Sequence, residues 1–498
     1  MKAIWNNFLG GLAPYSDLIG REGSYAEARD VDPHRKPGYI MPGWKETAVS
    51  SVDTALAGLI LDAAVDPDNA TLTIYAIDDG KLYEIGTLGT AFTDDANFPH
   101  AVSTGSGVVF YECKIGGTSA TRLFYIQDTD VGMSNVGTPD FDDDWLSTIP
   151  AGGAALTSGK HPYLKWKSYL WIAHGNDLGK LDGQTGDNGT WTSSALDLPE
   201  GWEITSLFST QNYIGICAWY KLASGSGNRT IARIFMWDGV SADWNYWIPI
   251  EDNKVISSLN DGSDIYLLTE GRGYATNLKR LTDRGDELIY NFRIDKGGSD
   301  KDFEANYHNV MDISLGRLLM GLTKTNYQNS VFAYGSVNPI FPKIMTQPYS
   351  GGSDPDASNA GDVGYVGSLY LNTVFFSSKI GTNYYWGRFP GNESTNALYK
   401  GLYKNPEQKV RINYVKFYFK PLVASDDMTP TLDIDYGTSI TLKDRRGNAT
   451  ISYAEDGAIT SKLFNVKRTC HAFRPVLDWT AGGIAFSKII VDFDYIND

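Results

Sequence analysis

The chain has 498 residues, too many for one ordinary hydrophobic core, so two or three domains or one large closed β architecture with an appendage are expected. With 42% hydrophobic and 20% charged residues it is not a disordered chain, and 13% aromatics with 52 Gly favour pleated surfaces joined by tight turns. A formal net charge of −16 argues against sequence-independent DNA binding, although a local basic patch lining a channel is compatible with it.

Residues 1–45 read as an extended N-terminal arm. The stretch "AIWNNFLGGLAPYSDLIGREGSYAEARDVDPHRKPGYIMPGW", residues 3–44, contains four Pro and keeps neither a helical nor a strand period for long. Phe8, Leu9, Leu12, Leu18, Ile19, Tyr39, Ile40 and Trp44 are too apolar to stay solvated and too irregularly spaced for an amphipathic element. Of these, Phe8, Leu9, Leu12, Tyr39 and Trp44 are the candidate assembly residues. The arm is expected to dock on the C-terminal domain or on a second chain; the alternative is a strand that closes the propeller of its own chain. Asn6 and Asn7 interrupt any signal-like apolar stretch, so synthesis in the cytoplasm is expected. No stretch approaches 18 apolar residues, and no membrane-spanning segment is expected.

Residues 46–405 carry a repeat. Apolar runs begin at Ser168 ("SYLWIAHG"), Asn212 ("NYIGICAW"), Asp264 ("DIYLLTEG"), Gly316 ("GRLLMGLT") and Ser368 ("SLYLNTVF"), in steps of 44, 52, 52 and 52 residues. Each is followed by a polar gap and a second short strand, and the segments from Leu72 and Gly107 share the form with less even spacing. A unit of this size with short strands is the sign of a β-propeller blade, and six to eight blades fit. The apolar runs are expected to lie nearest the axis, covered on both faces. A series of unrelated hairpins in stacked sandwiches is the alternative.

Residues 406–498 change texture, with longer alternating strands such as "VKFYFKPL" at 415–422, where Val415, Phe417 and Phe419 point one way and Lys416, Tyr418 and Lys420 the other. They predict a C-terminal β-sandwich. The expected fold class is therefore all-β: arm, propeller, sandwich.

Several constellations invite a chemical reading, and in each a structural reading competes. "TGDNGTW", residues 185–191, nearly matches the Asp-box hairpin of sialidase-type propellers, itself a structural turn, with Trp191 one residue early. "GGSDPDASNAGD" places Asp354, Asp356 and Asp362 at spacings reminiscent of a calcium loop. Asn359 and Tyr365 stand where the loop needs Gly and Glu, so these acids are weak metal candidates and a solvated turn is the better reading. "DFDDDW" at 140–145 is expected as an exposed insert between blades. Asp433 with Asp435, and Asp492 with Asp494, have the alternation of acids on a sheet's outer face rather than of a glycosidase pair. Six dispersed histidines and three unpaired cysteines, Cys113, Cys217 and Cys470, give no zinc or Cys/His pattern. No catalytic residue and no cofactor is expected. The aromatics of "WDGVSADWNYW", residues 237–247, are of a kind that stacks sugar rings or packs at interfaces.

"FLGGL" at 8–12, an arm ending in "PHRKPGYIMPGW", propeller-like units and then a sandwich resemble, as an order of parts, the propeller-containing tail nozzle or tail-tube hub proteins of short-tailed bacteriophages. The resemblance implies a structural virion protein of the tail, a homo-oligomeric, hexameric ring around the channel for DNA ejection, with DNA only as passing cargo. The other partners implied are tail proteins such as an adaptor, fibre or needle. It brings no catalytic residues. The acidity of the chain departs from what a DNA channel suggests, though an acidic wall reduces sticking. A carbohydrate- or receptor-binding tail adhesin and a polysaccharide-degrading propeller enzyme are the other readings.

Overall fold

Gly and Asp turns cut the middle of the sequence into short strands, and in the computed structural model these strands hydrogen-bond into antiparallel sheets of four or five. The structure describes residues 1–6, 8, 11–12, 24–29, 31–33, 39–42, 47–48, 56–68, 73–86, 91–93, 97–135, 140–221, 230–271, 276–282, 285–292, 303–304, 307–314, 316–324, 329–336, 343–350, 361–370, 373–380, 383–389, 397–406 and 408–496. Among them, seven such sheets follow one another as blades of a propeller. Their first strands are Asp62–Val65, Gly107–Ile115, Tyr163–Trp166, Trp202–Ser209, Lys254–Asn260, Met311–Ser314 and Gly361–Tyr370. The first strand of blade 7 touches that of blade 1, which closes the ring. Blade 7 takes its fourth strand from the front of the chain: Thr47–Ala48 pairs antiparallel with Gly387 and Arg388.

The apolar runs do not line the axis as expected. Those beginning at Ser168, Asn212, Asp264 and Gly316 contain the second strands of blades 3 to 6, and the run from Ser368 straddles the first turn of blade 7. The reason is geometric. A second strand has a neighbouring strand on each edge and a blade on each face, so it is the most apolar. A first strand leaves one edge open toward the axis and accepts polar side chains there.

The remaining strands build a two-sheet unit, here called the platform. One sheet runs Lys2–Asn6, Phe486–Tyr495, Val410–Phe419, Ser461–Cys470. The other contains Gly11–Leu12, Ser24–Arg29, Leu398–Gly401, Phe473–Ala481, Asp427–Ile434 and Thr438–Thr441, with Ile451–Ser452 beside it. Both sheets feed one core in which Trp5, Phe8, Tyr25 and Ile40 from the front of the chain meet Phe417, Phe473, Trp479 and Phe486 from the back. The described strands of the arm complete the platform, whereas the strand that closes the ring, Thr47–Ala48, lies just past the arm in the stretch assigned to the propeller. Leu398–Gly401, inside the stretch assigned to the propeller, hydrogen-bonds between Ser24–Arg29 and Phe473–Ala481 and belongs to the platform. The propeller is therefore an insertion between two halves of one platform. A buried ion pair joins the units, with Arg317 Nη1 of blade 6 at 3.0 Å from both carboxylate oxygens of Asp32.

Candidate axial site

First strands of neighbouring blades lie too far apart for a ladder, so their polar groups need other partners. The sequence supplies them as a belt of short polar residues. Val108 N–H donates to Asp62 Oδ2 (2.8 Å), Tyr163 O–H to Val108 O (3.0 Å), and Thr205 Oγ1 to Val255 O (2.5 Å). Ser206 and Ser258 hydroxyls pair at 2.7 Å, and Ser257 Oγ donates to His308 O at 2.5 Å. Ser368 N–H donates to Asp312 Oδ2, and Tyr365 O–H to Ala63 O at 3.4 Å. Blades 1, 2 and 3, and blades 4 through 7 back to 1, are joined by these bonds. Between blades 3 and 4, Ile204 N–H donates to Gly175 O and Trp166 Nε1 to Thr210 O, both at 2.9 Å.

Asp62 is the centre of the belt. It is buried, its Oδ1 accepts from Ala63 N–H (2.9 Å), and its Oδ2 accepts from Val108 N–H and from Tyr163 O–H at 2.6 Å. The Tyr163 hydroxyl of blade 3 thus meets polar atoms of both blade 2 and blade 1. Burial pushes the Asp62 carboxyl up to about 7, against the pull of the three donors. Burial also raises the Asp312 carboxyl, although Ser368 and Ile313 N–H groups point at it. Tyr163 and Tyr365 hydroxyls are held well above their usual range, first by burial and then by the Asp62 charge.

At the end where the first strands begin, loops from several blades meet. Lys160 Nζ lies 5.1 Å from the Tyr307 ring centre and 3.5 Å from Asp79 Oδ1. His161 is buried with Nδ1 facing Ala173 O (3.0 Å) and Nε2 facing Asp128 O (2.8 Å). Burial holds the pKa of His161 down and pushes that of His308 to about 4. Chemically, the belt offers cohesion and one carboxyl that exchanges a proton near neutral pH. Both oxygens of that carboxyl are engaged by donors.

Sequence reasoning missed this belt. The signal was present in "AGLILDAAV", where Asp62 is the one charge in an apolar run. The residues that reasoning did single out are dispersed. Asp362 accepts from Thr323 Oγ1 (2.6 Å) and Tyr307 O–H (3.1 Å), tying blade 7 to blade 6; Asp354 and Asp356 lie outside the described residues. Phe8 and Ile40 are buried in the platform core, Tyr39 is half-buried with Lys420 Nζ over its ring, and the backbone of Leu12 pairs with Tyr25. Leu9 and Trp44 lie outside the described residues, as do Leu18 and Ile19.

The remaining acids hold turns and edges. "DFDDDW" is not an insert between blades: Phe141–Asp142 is the outer strand of blade 2, and Asp143 Oδ1 receives Tyr125 O–H (2.5 Å) and faces His100 Nε2 (2.8 Å). In the Asp-box-like hairpin, Trp191 is buried in the blade, and Asp182 receives Gln184 N–H and Thr185 O–H. Asp433 receives Arg474 Nε at 3.1 Å, Asp435 receives His471 N–H at 2.6 Å, and Asn413 Nδ2 donates to both Asp492 and Asp494. Within residues 237–247, Trp237 is buried edge-on to Trp171, Trp244 packs on Phe235, and Trp247 is exposed beneath the Arg233 guanidinium.

The chain is a nearly all-β propeller protein. No known protein family matches its sequence, and no curated protein does. Among solved structures it is similar to an exo-beta-1,3-galactanase from Phanerochaete chrysosporium, at 10% identity over 70% of this chain and 98% of that one, with a TM-score of 0.31. The computationally designed Ika8 protein is 11% identical over 67% of this chain and 98% of its own, with a TM-score of 0.37. The Pan2 WD40 domain of Neurospora crassa is 9% identical over 71% of this chain and 96% of its own, with a TM-score of 0.40. No residue role is carried over from any of them.

Proposed function

We propose that the chain is a non-enzymatic structural subunit of a phage tail, a component of a nozzle or hub ring around the DNA exit channel. The observation that carries this reading is the construction of the platform. Its core is shared by the first and last strands of the chain, and the propeller is carried on it as an insertion. Such a division suits a part that assembles through one unit and presents the other. The charge is divided in the same way: residues 1–45 and 397–498 carry 20 Lys and Arg against 17 Asp and Glu, while residues 46–396 carry 23 against 42. The order of arm, propeller and C-terminal strands supports the tail reading, and the acids weighed for catalysis that lie in described residues are engaged in holding turns and strand edges. Native mass spectrometry and electron microscopy of the purified chain test it. A closed homo-oligomeric ring is expected, and a monomer at every concentration would refute it.

A glycan-binding adhesin is the second reading, and Trp247 favours it. This side chain is 44% exposed on the outer strand of blade 4, next to the exposed Tyr246. Binding on a glycan array that is lost in Trp247→Ala would support that reading.

A further inference from the structure

The outer face of the first platform sheet combines apolar and basic side chains. Strand register sets three rows across it. Ile4, Ile490, Lys416 and Leu463 form the middle row, Asn6, Lys488, Tyr418 and Ser461 one flank, and Lys2, Asp492, Tyr414 and Asn465 the other. The alternate residues Val415, Phe417, Ile489 and Val491 point into the core, so these twelve face away from it. Ile4 is 42% exposed, and Ile490 and Leu463 are half-buried. Lys416 and Lys488 both reach over the Tyr418 ring, at 4.7 and 6.0 Å from its centre. The face thus has a middle row of three apolar side chains and Lys416, with Lys488 on one flank and Lys2 on the other, three lysines to one aspartate.

We infer that this face docks on the acidic propeller of a second copy of the same chain. Charge complementarity carries the inference: the face is positive, and the propeller segment has 19 more acids than bases. A contact between platform and propeller is head-to-tail, the kind that repeats into a ring when the rotation closes. A nucleic acid fits less well, because an apolar row offers it nothing and the net charge of −16 repels it at a distance. The inference rests on the assembly reading above and names its surface.

The test is sedimentation velocity on the full chain over a range of concentrations, at about 50 mM and about 500 mM salt, where the Debye length differs about threefold. The wild type is expected to self-associate at low salt and to weaken at high salt. Lys416→Glu with Lys488→Glu should weaken association at least about tenfold. A circular-dichroism melt checks the fold, and Lys2→Glu with Asn6→Glu reaches the same face from the edge strand if the first variant fails to fold. Wild-type association unchanged by a folded variant would overturn the inference and leave the assembly reading standing. A monomer under all conditions would overturn both. Binding of a short DNA duplex that the variant loses, without self-association, would give the face to nucleic acid instead.

Discussion

Replacing Asp62 by Asn should remove a specific pH dependence from the stability of the propeller. The carboxyl lies at about 7 in the folded chain against 3.8 when solvated, because burial disfavours its charge more than Tyr163, Val108 and Ala63 favour it. An acid raised in this way binds more protons folded than unfolded between those two values. Its contribution is complete below 3.8 and is lost as pH rises through 7. About three units at roughly 1.36 kcal/mol each give about 4 kcal/mol over the whole window, of which about 3 kcal/mol falls between pH 5 and 8. His308 works the other way: with a folded pKa near 4, its contribution is present above 6.5 and is lost toward acid. The raw stability curve therefore sums two opposed slopes, and the difference between wild type and Asp62→Asn isolates one. Urea unfolding at several pH values between 5 and 8, followed by tryptophan fluorescence, measures it. The advantage of the wild type over the variant should shrink as pH rises. A difference flat in pH, or one that grows with pH, would refute the assignment of the proton to Asp62.

Arg317→Ala should destabilise the junction of blade 6 and platform by roughly 3–5 kcal/mol, since it leaves the buried Asp32 carboxylate without its guanidinium; calorimetry would show the lowered transition. Cys113, Cys217 and Cys470 are buried, and burial pushes each thiol up to about 12, so Ellman's reagent should label none of them until the chain is unfolded. Deleting residues 1–29 should strip Trp5, Phe8 and Tyr25 from the platform core, at roughly 1.5–3 kcal/mol each, while Thr47–Ala48 still closes blade 7. The platform transition should then disappear from a calorimetric scan and the propeller transition remain.

The propeller was legible because its second strands are the most enclosed elements and therefore the most continuously apolar. Their starts at Tyr169, Ile214, Ile265 and Arg317 keep the spacing that the sequence displays. The same enclosure misled the radial assignment in blades 3 to 6, and some first strands, such as the four-residue Asp62–Val65, are too short to announce themselves. The pairing of Lys2–Asn6 with Phe486–Tyr495 was not legible, because a five-residue strand at one end of a chain says nothing about which edge will receive it. The axial belt escaped for a related reason. Its members come from all seven blades, and each is ordinary until the ring closes.

The pairing of the first strand with the last also sets a timetable. Trp5 finds its register partner Ile489 only after the long stretch of chain between them has been made. At roughly 5–20 residues per second, translation takes about half a minute to a minute and a half to cover that separation. During that interval Trp5 and Phe8 have no core to enter, and the blades, each built largely from neighbouring residues, have time to form first. The platform becomes whole after the propeller, so a chain cut short within Phe486–Tyr495 carries a closed propeller with an open, apolar stump. The arrangement makes a whole platform conditional on the synthesis of Phe486–Tyr495.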